Sequence, residues 1–325
     1  MRDIARRRNS VEIVTRSVAF SLHWPTVMNA KADRLRELIA SPTLTFIIEA
    51  HNGLSAHIAE EAGFEAIWAS GLTIAASLGV RDCNEASWTQ IIDVVEFMAD
   101  AASVPILVDG DTGHGNFNNA RRFVRKLEER GAAGVCLEDK TFPKINSFVD
   151  GAAQLADVDE FCGRLRAAAD ARRHDRFVIV ARTEALVAGR GHGEALRRAE
   201  AYWRAGADAI LIHSARADAD EVVAFRQAWG ETLPVIAVPT KYYRTQTEVF
   251  RQHRFSAIIW ANHLLRACIR AMQRTAAQLR HDECLHRIEP VVAPLEEVFR
   301  LQRMDELHQA ERVYLQAGTA RLRTA

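Results

Sequence analysis

The chain has 325 residues, 48% of them hydrophobic, so it can bury the core of two ordinary domains or of one large α/β barrel. Its 42 basic and 42 acidic residues cancel, which argues against a field that would steer the protein onto nucleic acid or an anionic membrane. A small-molecule substrate is therefore the expected partner, with no nucleic acid and no membrane.

The five cysteines are odd in number, widely spaced and without a CxxC pair, which argues against a disulfide framework or a thiolate zinc site. No apolar run approaches the roughly 18 residues of a membrane helix, and no signal peptide with a long hydrophobic centre is evident. We therefore expect a cytoplasmic protein with reduced thiols.

Residues 1–40 begin with an Arg-rich stretch and are expected to form an N-terminal arm. A solvated arm or a subunit contact is favoured there over a transit peptide or a nucleic-acid-binding segment. No low-complexity linker divides the remaining chain, so residues 41–325 are expected to form a single barrel domain with a helical C-terminal extension from about residue 263.

Eight short apolar runs follow in chain order, each typical of a strand buried on both faces. They begin at residues 45, 66, 105, 134, 177, 209, 234 and 257. Segments with helical periodicity separate them, for example residues 118–133 and 193–208, where a glycine suits the helix end. Eight such units predict an α/β fold of the (β/α)8 TIM-barrel type, whereas a doubly wound sheet would need a GxGxxG after its first strand.

Polar residues follow these strands, at the barrel end where active sites form. They are Ser70, Gly71, Asp109, Asp111, Glu138, Asp139, Arg182, Glu184, His213, Ser214 and Asn262. This is more polarity than a purely structural rim requires.

Asp109 and Asp111 stand two residues apart at the end of the third strand, so both can face one point. Their repulsion would raise one pKa unless a cation lies between them and other groups. With Glu138 one strand away, the ligand set is all oxygen, which suits Mg²⁺ or Mn²⁺ and not zinc. For each carboxylate alone, a helix N-cap or an exposed loop acid is the competing interpretation.

Long motifs in fixed order carry a resemblance to a known family. They include "EAHNGLSAHIAEEAGFEAIWASGL", "DGDTGHGNFNN", "GVCLEDKTFPKINSF", "ARTEAL" and "VPTKYY". Over about residues 41–316 the chain resembles the phosphoenolpyruvate mutases of the isocitrate lyase and phosphoenolpyruvate mutase superfamily. The resemblance implies an isomerase that interconverts phosphoenolpyruvate and phosphonopyruvate, the first step of phosphonate biosynthesis. It also implies a Mg²⁺ cofactor and a barrel that swaps its last helix within a homotetramer or homodimer.

The resemblance assigns roles to the carboxylates and to the substrate groups. Asp109 resembles the direct metal ligand, while Asp82, Asp111 and Glu138 resemble the carboxylates that hold the ion through water; Asp82 is also expected to act in catalysis. Backbone amides that receive the pyruvyl oxygens are expected at Ser70, Gly71 and Leu72. Anion-binding side chains are expected at Arg182 and His213.

Residues 138–147, called the lid below, have the polar composition of a segment that closes over substrate and excludes water. The resemblance implies substrate roles for Lys144, Asn146 and Ser147, with Asn146 holding the migrating phosphoryl group. Phosphonopyruvate hydrolases depart from the pattern around this asparagine. Carbon-carbon lyases of the superfamily carry a lid of the KKCGH or KRCGH kind with a catalytic cysteine, which this lid lacks.

Other interpretations stay open at this point. The protein is a mutase by this reasoning, with a phosphonopyruvate hydrolase second, a carbon-carbon lyase third, and a noncatalytic carboxylate-binding subunit as the alternative from another class. Arg182 could form only a salt bridge to Glu184, His213 could be a core histidine, and Lys144 could be a solvated loop charge. Cys136 is interpreted as a packed thiol and not a nucleophile.

Overall fold

A closed parallel barrel forms the centre of the molecule. The computed structural model describes residues 24–147 and 154–315. Eight strands pair in chain order, and the last pairs with the first. They are β1 Thr45–Ala50, β2 Ala66–Ala69, β3 Ile106–Asp109, β4 Gly134–Glu138, β5 Val178–Thr183, β6 Ala209–Ile212, β7 Val235–Ala237 and β8 Ala257–Trp260. Each begins within one residue of its predicted run, which confirms the (β/α)8 fold.

Helices connect the strands on the outside of the barrel. They are α2 Gly53–Glu61, α3 Gly71–Ser77, α4 Trp88–Ala101, α5 Phe117–Glu129, α6 Val158–Ala171, α7 Gly191–Arg204, α8 Asp220–Trp229 and α9 Thr247–Gln252, after an initial helix α1 Trp24–Ala40. Capping boxes at Asn52, Ser87 and Asn116 fix the starts of α2, α4 and α5. Each supplies acceptors for backbone N–H groups that have no partner inside the helix.

The strands alternate between two apolar layers. Side chains that face the barrel interior include Trp68, Leu107, Cys136, Val180 and Leu211, while the intervening residues pack under the outer helices. Because side chains repeat every two residues along a strand, the position two residues beyond each interior residue also faces inward. This periodicity directs the polar strand ends toward one axis.

The second half of α1 closes the amino-terminal end of the barrel. Leu35, Leu38 and Ile39 are at most 5% exposed and belong to the interior apolar cluster. Lys31 Nζ also donates to Ala99 O and Ala102 O, both at 2.8 Å. The division into an arm and a barrel domain stays a prediction, but residues 31–40, which it assigned to the arm, pack against the barrel.

The predicted C-terminal helical extension is present. It comprises α10 His263–Asp282, a short 3₁₀ turn at Glu289–Val291, α11 Leu295–Leu301 and α12 Met304–Tyr314. The carboxylate of Glu49 at the end of β1 accepts from Leu264 N at 2.8 Å and Leu265 N at 3.3 Å, so the barrel holds the start of α10. Within residues 24–147 and 154–315, no helix combines the length and apolar character that crossing a membrane requires.

Candidate active site

The inward-facing periodicity continues past the apolar interior into a polar cavity at the carboxyl end of the barrel. Two residues beyond Trp68, Leu107, Cys136, Val180 and Leu211 come Ser70, Asp109, Glu138, Arg182 and His213, and all five line this cavity. Its other lining residues include Leu72, Asp82, Lys144, Asn146, Ser147, Thr240 and Asn262. The strand pattern and the resemblance therefore converge on one place.

The cavity has a volume of about 50 Å³. A buried water needs roughly 10–15 Å³ of such volume, so the space is enough for a few waters. Lys144, Asn146 and Ser147 of the lid form part of its wall. The lid therefore closes one side of the cavity.

Asp109, which is half-buried, and Asp111, which is buried, lie beside each other. Asp109 Oδ2 accepts from Gly71 N at 3.2 Å, and Asp111 Oδ2 accepts from Asn84 Nδ2 at 2.8 Å. Burial, together with the charge of Asp111, raises the pKa of Asp109 to about 7. Asp111 is 7% exposed and neither residue caps a helix, so the interpretation as loop acids or N-caps is wrong.

The lid closes onto these carboxylates through Lys144 and Asn146. Lys144 Nζ lies 2.6 Å from Asp82 Oδ1 and 2.8 Å from Asp111 Oδ1, and Asn146 Nδ2 donates to Asp82 Oδ2 at 2.5 Å. Burial alone would raise the pKa of Asp82, but Lys144 and Asn146 hold it below its ordinary value. Lys144 is 5% exposed, so its interpretation as a solvated charge is wrong.

Arg182 is the centre of the opposite wall. Its guanidinium bonds Glu184, lies 3.3 Å from Glu138 Oε2, and donates through Nη2 to Ser147 Oγ at 3.1 Å. Burial alone would lower the pKa of Arg182, but Glu184 and Glu138 raise it well above its ordinary value. The salt bridge to Glu184 is thus present, and the guanidinium still lines the cavity.

His213 is buried against the same group. Its Nδ1 lies 2.9 Å from Glu184 Oε1 and 3.0 Å from Arg182 Nη2. Burial and the adjacent guanidinium lower the pKa of His213, although Glu184 opposes them. A neutral imidazole held by Glu184 is therefore the favoured state at neutral pH, and both Glu184 partners line the cavity.

The segment Ser70–Leu72 connects β2 to α3. Ser70 caps α3 by accepting from Thr73 N at 3.4 Å, and Gly71 is the first residue of the helix. A Cβ on residue 71 would lie 3.2 Å from Asp111 Oδ1 and 3.3 Å from Asp109 Oδ2, which accounts for glycine there. The Gly71 amide already donates to Asp109, so its expected role toward a pyruvyl oxygen requires that this bond be exchanged and stays a prediction.

Asp139 also follows β4 but points away from the cavity. It is fully buried and accepts from Glu184 N at 2.8 Å, Arg198 Nη1 at 3.1 Å and Tyr202 OH at 2.6 Å. Its carbonyl accepts from Ala156 N at 2.9 Å. This strand-end acid therefore positions the end of β5 and the start of the lid.

A divalent cation fits the donor set only in a partly hydrated form. Within the described ranges, no group of three or more His, Cys, Asp or Glu side chains is close enough to enclose a metal ion. Mg²⁺ usually keeps several waters and binds one or two carboxylates directly, so Asp109 is a sufficient direct ligand. Glu138 Oε1 is buried with no hydrogen-bond donor among the described residues, and it can accept from a metal-bound water.

Two features near the site, Asn84 and Lys140, were not predicted from the sequence. Asn84, with a left-handed φ of 59°, donates to Asp111 and accepts from Lys144 N at 2.7 Å. Lys140 is buried under the lid, and the sequence predicted roles only for other residues of the same motif. Cys136 is 1% exposed and burial raises its thiol pKa, in agreement with a packed side chain.

The comparison with known proteins names the family. The model of the family "Phosphoenolpyruvate phosphomutase" matches residues 35–280. The chain belongs to the phosphoenolpyruvate phosphomutase family. It is 54% identical over 286 residues to a phosphoenolpyruvate phosphomutase of Tetrahymena pyriformis, which covers 88% of this chain and 95% of that protein.

Solved structures extend the family likeness to the fold. The crystal structure of a phosphoenolpyruvate phosphomutase from Streptomyces platensis subsp. rosaceus has a TM-score of 0.85 and 45% identity, covering 87% of this chain and 99% of that one. A phosphonopyruvate hydrolase in complex with oxalate and Mg²⁺ has a TM-score of 0.83 and 37% identity, covering 88% and 99%. A mutase and a hydrolase thus share the fold of this barrel.

Proposed function

We propose that this protein is a Mg²⁺-dependent phosphoenolpyruvate mutase, an enzyme that interconverts phosphoenolpyruvate and phosphonopyruvate by intramolecular phosphoryl transfer. The observation that carries the proposal is the closed lid, in which Lys144 and Asn146 meet Asp82 and Ser147 meets Arg182 above the cavity. The 54% identity to a phosphoenolpyruvate phosphomutase supports it. In this role the enzyme would begin a route to phosphonates.

The reaction moves a phosphoryl group between carbon and oxygen of one pyruvate enolate. Such a transfer passes through a loose, metaphosphate-like arrangement, so the site has to stabilise spread negative charge and hold two fragments in place. Arg182 presents a planar fork of donors that suits a carboxylate or a phosphoryl group. Neutral His213, whose Nδ1 is held by Glu184, would help to position this fork, and Asn146 would hold the migrating phosphoryl group.

The cation would occupy the carboxylate side of the cavity. Asp109 would bind it directly, and Asp82, Asp111 and Glu138 would hold its waters. When bound, Mg²⁺ stabilises negative charge on the pyruvyl oxygens as a Lewis acid. Lys144 Nζ lies against Asp82 and Asp111, and from this position in the lid it would supply positive charge to the substrate phosphoryl group. Mn²⁺ has the same preference for oxygen ligands and is expected to substitute.

Exclusion of water distinguishes this activity from that of the hydrolase. Water that reached the phosphoryl group would give inorganic phosphate and pyruvate. The contacts of the lid with Asp82 and Arg182 would limit the access of water to the phosphoryl group. We therefore favour isomerisation over hydrolysis, and the absence of a lid cysteine argues against a carbon-carbon lyase.

A phosphorus NMR time course tests the proposal. Phosphonopyruvate and Mg²⁺ are incubated with the protein, beside a matched sample with EDTA. We expect metal-dependent formation of phosphoenolpyruvate, the more stable isomer. Inorganic phosphate as the first product would establish the hydrolase instead, and substrate binding without turnover would indicate a noncatalytic carboxylate-binding subunit.

We also propose that the C-terminal extension packs against a second copy in a homodimer or homotetramer. Among the 20 residues of α10 only Leu265 is buried, and helices of this length in proteins depend on tertiary packing. Exposed apolar side chains continue along the extension at Met272, Leu295 and Phe299. Sedimentation of the full chain tests this, with Met272→Asp expected to shift the protein toward monomer; a monomeric wild-type protein would contradict it.

A further inference from the structure

Lys140 is a buried cation that the proposed reaction does not use. It is 1% exposed, although it lies in a loop and carries a side chain that is rarely buried. Burying an ammonium group costs free energy unless its donors find partners. The position of Lys140 therefore calls for a specific set of acceptors.

The acceptors come from the lid itself and from the barrel. Lys140 Nζ donates to Ile145 O at 2.9 Å and to Ser147 Oγ at 2.5 Å, and it lies 3.8 Å from Glu138 Oε1. A lysine ammonium has three donors and no acceptor. Two hydrogen bonds go to the lid, and the ammonium lies within ion-pair distance of Glu138 at the end of β4, so the side chain joins the lid to its own stem.

The tie continues into the site. Ser147 Oγ, which accepts from Lys140, also accepts from Arg182 Nη2 at 3.1 Å. Ile145 and Ser147 flank Asn146, whose amide reaches Asp82. Lys140 thus holds the residues on both sides of the asparagine that is expected to bind the phosphoryl group.

We propose that Lys140 is a positioning residue that holds the lid closed and thereby sets how often water, in place of the enolate oxygen, receives the phosphoryl group. In that side reaction a water oxygen bonds to phosphorus, the carbon–phosphorus bond breaks, and the enolate carbon takes a proton. The products are phosphate and pyruvate. This inference rests on the proposed mutase function.

Lys140→Met tests the inference, because it keeps the length of the apolar stem and removes all three donors. Phosphonopyruvate and Mg²⁺ are followed by phosphorus NMR, and the share of product that appears as inorganic phosphate is compared with that of the wild type. We expect this share to rise at least about tenfold, since losing hydrogen bonds from a charged group costs at least about 1.4 kcal/mol. Thr141→Ala, at the exposed neighbouring position, is the matched control and should keep the wild-type share.

The outcomes distinguish failure of the proposed mutase function from failure of the positioning role of Lys140. If the wild type forms no phosphoenolpyruvate, the mutase function fails. If the wild type isomerises and Lys140→Met turns over more slowly with an unchanged phosphate share, Lys140 contributes only charge or folding and the positioning role is wrong. Circular dichroism establishes that the variant is folded; if Lys140→Met does not fold, Lys140→Gln, which retains an N–H donor, has to show a raised phosphate share or the inference fails.

Discussion

The two ends of the barrel use the same strands for opposite purposes. At the amino-terminal end, Leu35 of α1 packs on the start of β4, where a Cβ on Gly134 would lie 3.0 Å from Leu35 Cδ2. At the other end β4 terminates in Glu138, a buried carboxylate beside Arg182. The amino-terminal end, called the floor below, gains stability by excluding water from apolar groups. The carboxyl end, called the rim, keeps charged groups buried where the reaction needs them. Substitutions at the two ends should therefore separate stability from activity.

The largest effect is expected for Asp109→Asn at the rim. We expect kcat/KM to fall roughly 10³-fold, since the proposed direct ligand of the cation is lost. Burial and Asp111 raise the pKa of Asp109 to about 7, above its value in the unfolded chain, so this residue lowers the stability of the wild type progressively as pH rises from the unfolded pKa to 7, and the loss is complete above 7. At alkaline pH and without Mg²⁺, Asp109→Asn should therefore unfold at the same urea concentration as the wild type or at a higher one. If Asp109→Asn turned over at the wild-type rate, Asp109 would not be the direct ligand of the cation.

Leu35→Ala at the floor should give the reverse pattern. Truncating a leucine with no solvent exposure costs about 3 kcal/mol of unfolding free energy through lost burial and a residual cavity. The kcat/KM of the folded enzyme should stay near that of the wild type. Urea denaturation and initial rates measure the two quantities, and Glu37→Ala on the exposed face of α1 is the control. If Leu35→Ala lost much of its kcat/KM but none of its stability, the assignment of stability to the floor and activity to the rim would be wrong.

Asn146→Ala sharpens the comparison within the rim. Its amide reaches Asp82 from the lid, and loss of one such donor is expected to lower kcat about 100-fold, with stability unchanged. Ile145→Ala, whose side chain is 47% exposed, is the control in the same lid and should have little effect. If Asn146→Ala turned over at the wild-type rate, the phosphoryl-binding role would have to move to another residue.

The smallest effect concerns pH. Since the pKa of Asp109 is raised to about 7, a proton competes with Mg²⁺ below that pH. The dissociation constant for Mg²⁺ should therefore fall about tenfold for each unit by which pH rises toward 7, and level off above it. Titration calorimetry at several pH values measures this. A dissociation constant independent of pH would mean that Asp109 is already ionised in the metal-free protein.

The sequence predicted the barrel and the axis of the site because both depend on local patterns. Runs of buried residues located the start of every strand within one residue, and the two-residue repeat put Asp109, Glu138 and Arg182 on the inner face. The packing of α1 was not predicted. Its buried residues Leu35, Leu38 and Ile39 follow an Arg-rich N-terminal stretch, and residues 1–40 were therefore interpreted together as an arm.

Contacts between distant segments were also beyond the sequence. Asn84 reaches Asp111 across 27 residues, from a turn whose left-handed backbone no spacing rule reveals. Lys140 is indistinguishable in composition from a solvated loop lysine until the fold places Ile145 O and Ser147 Oγ around it. In both cases the partners are fixed by tertiary structure and not by periodicity.

The anchoring of the lid stems has a consequence for how this fold diversifies. The chain leaves the barrel at Asp139 and returns at Ala156, and these two residues are joined by a backbone hydrogen bond of 2.9 Å, with Arg198 Nη1 bonded to both Asp139 Oδ2 and Ala156 O. Changes of sequence between these points need not disturb β4 or β5. We therefore expect that this loop can be replaced while the barrel stays folded, so that the same carboxylates and Arg182 would serve a different reaction.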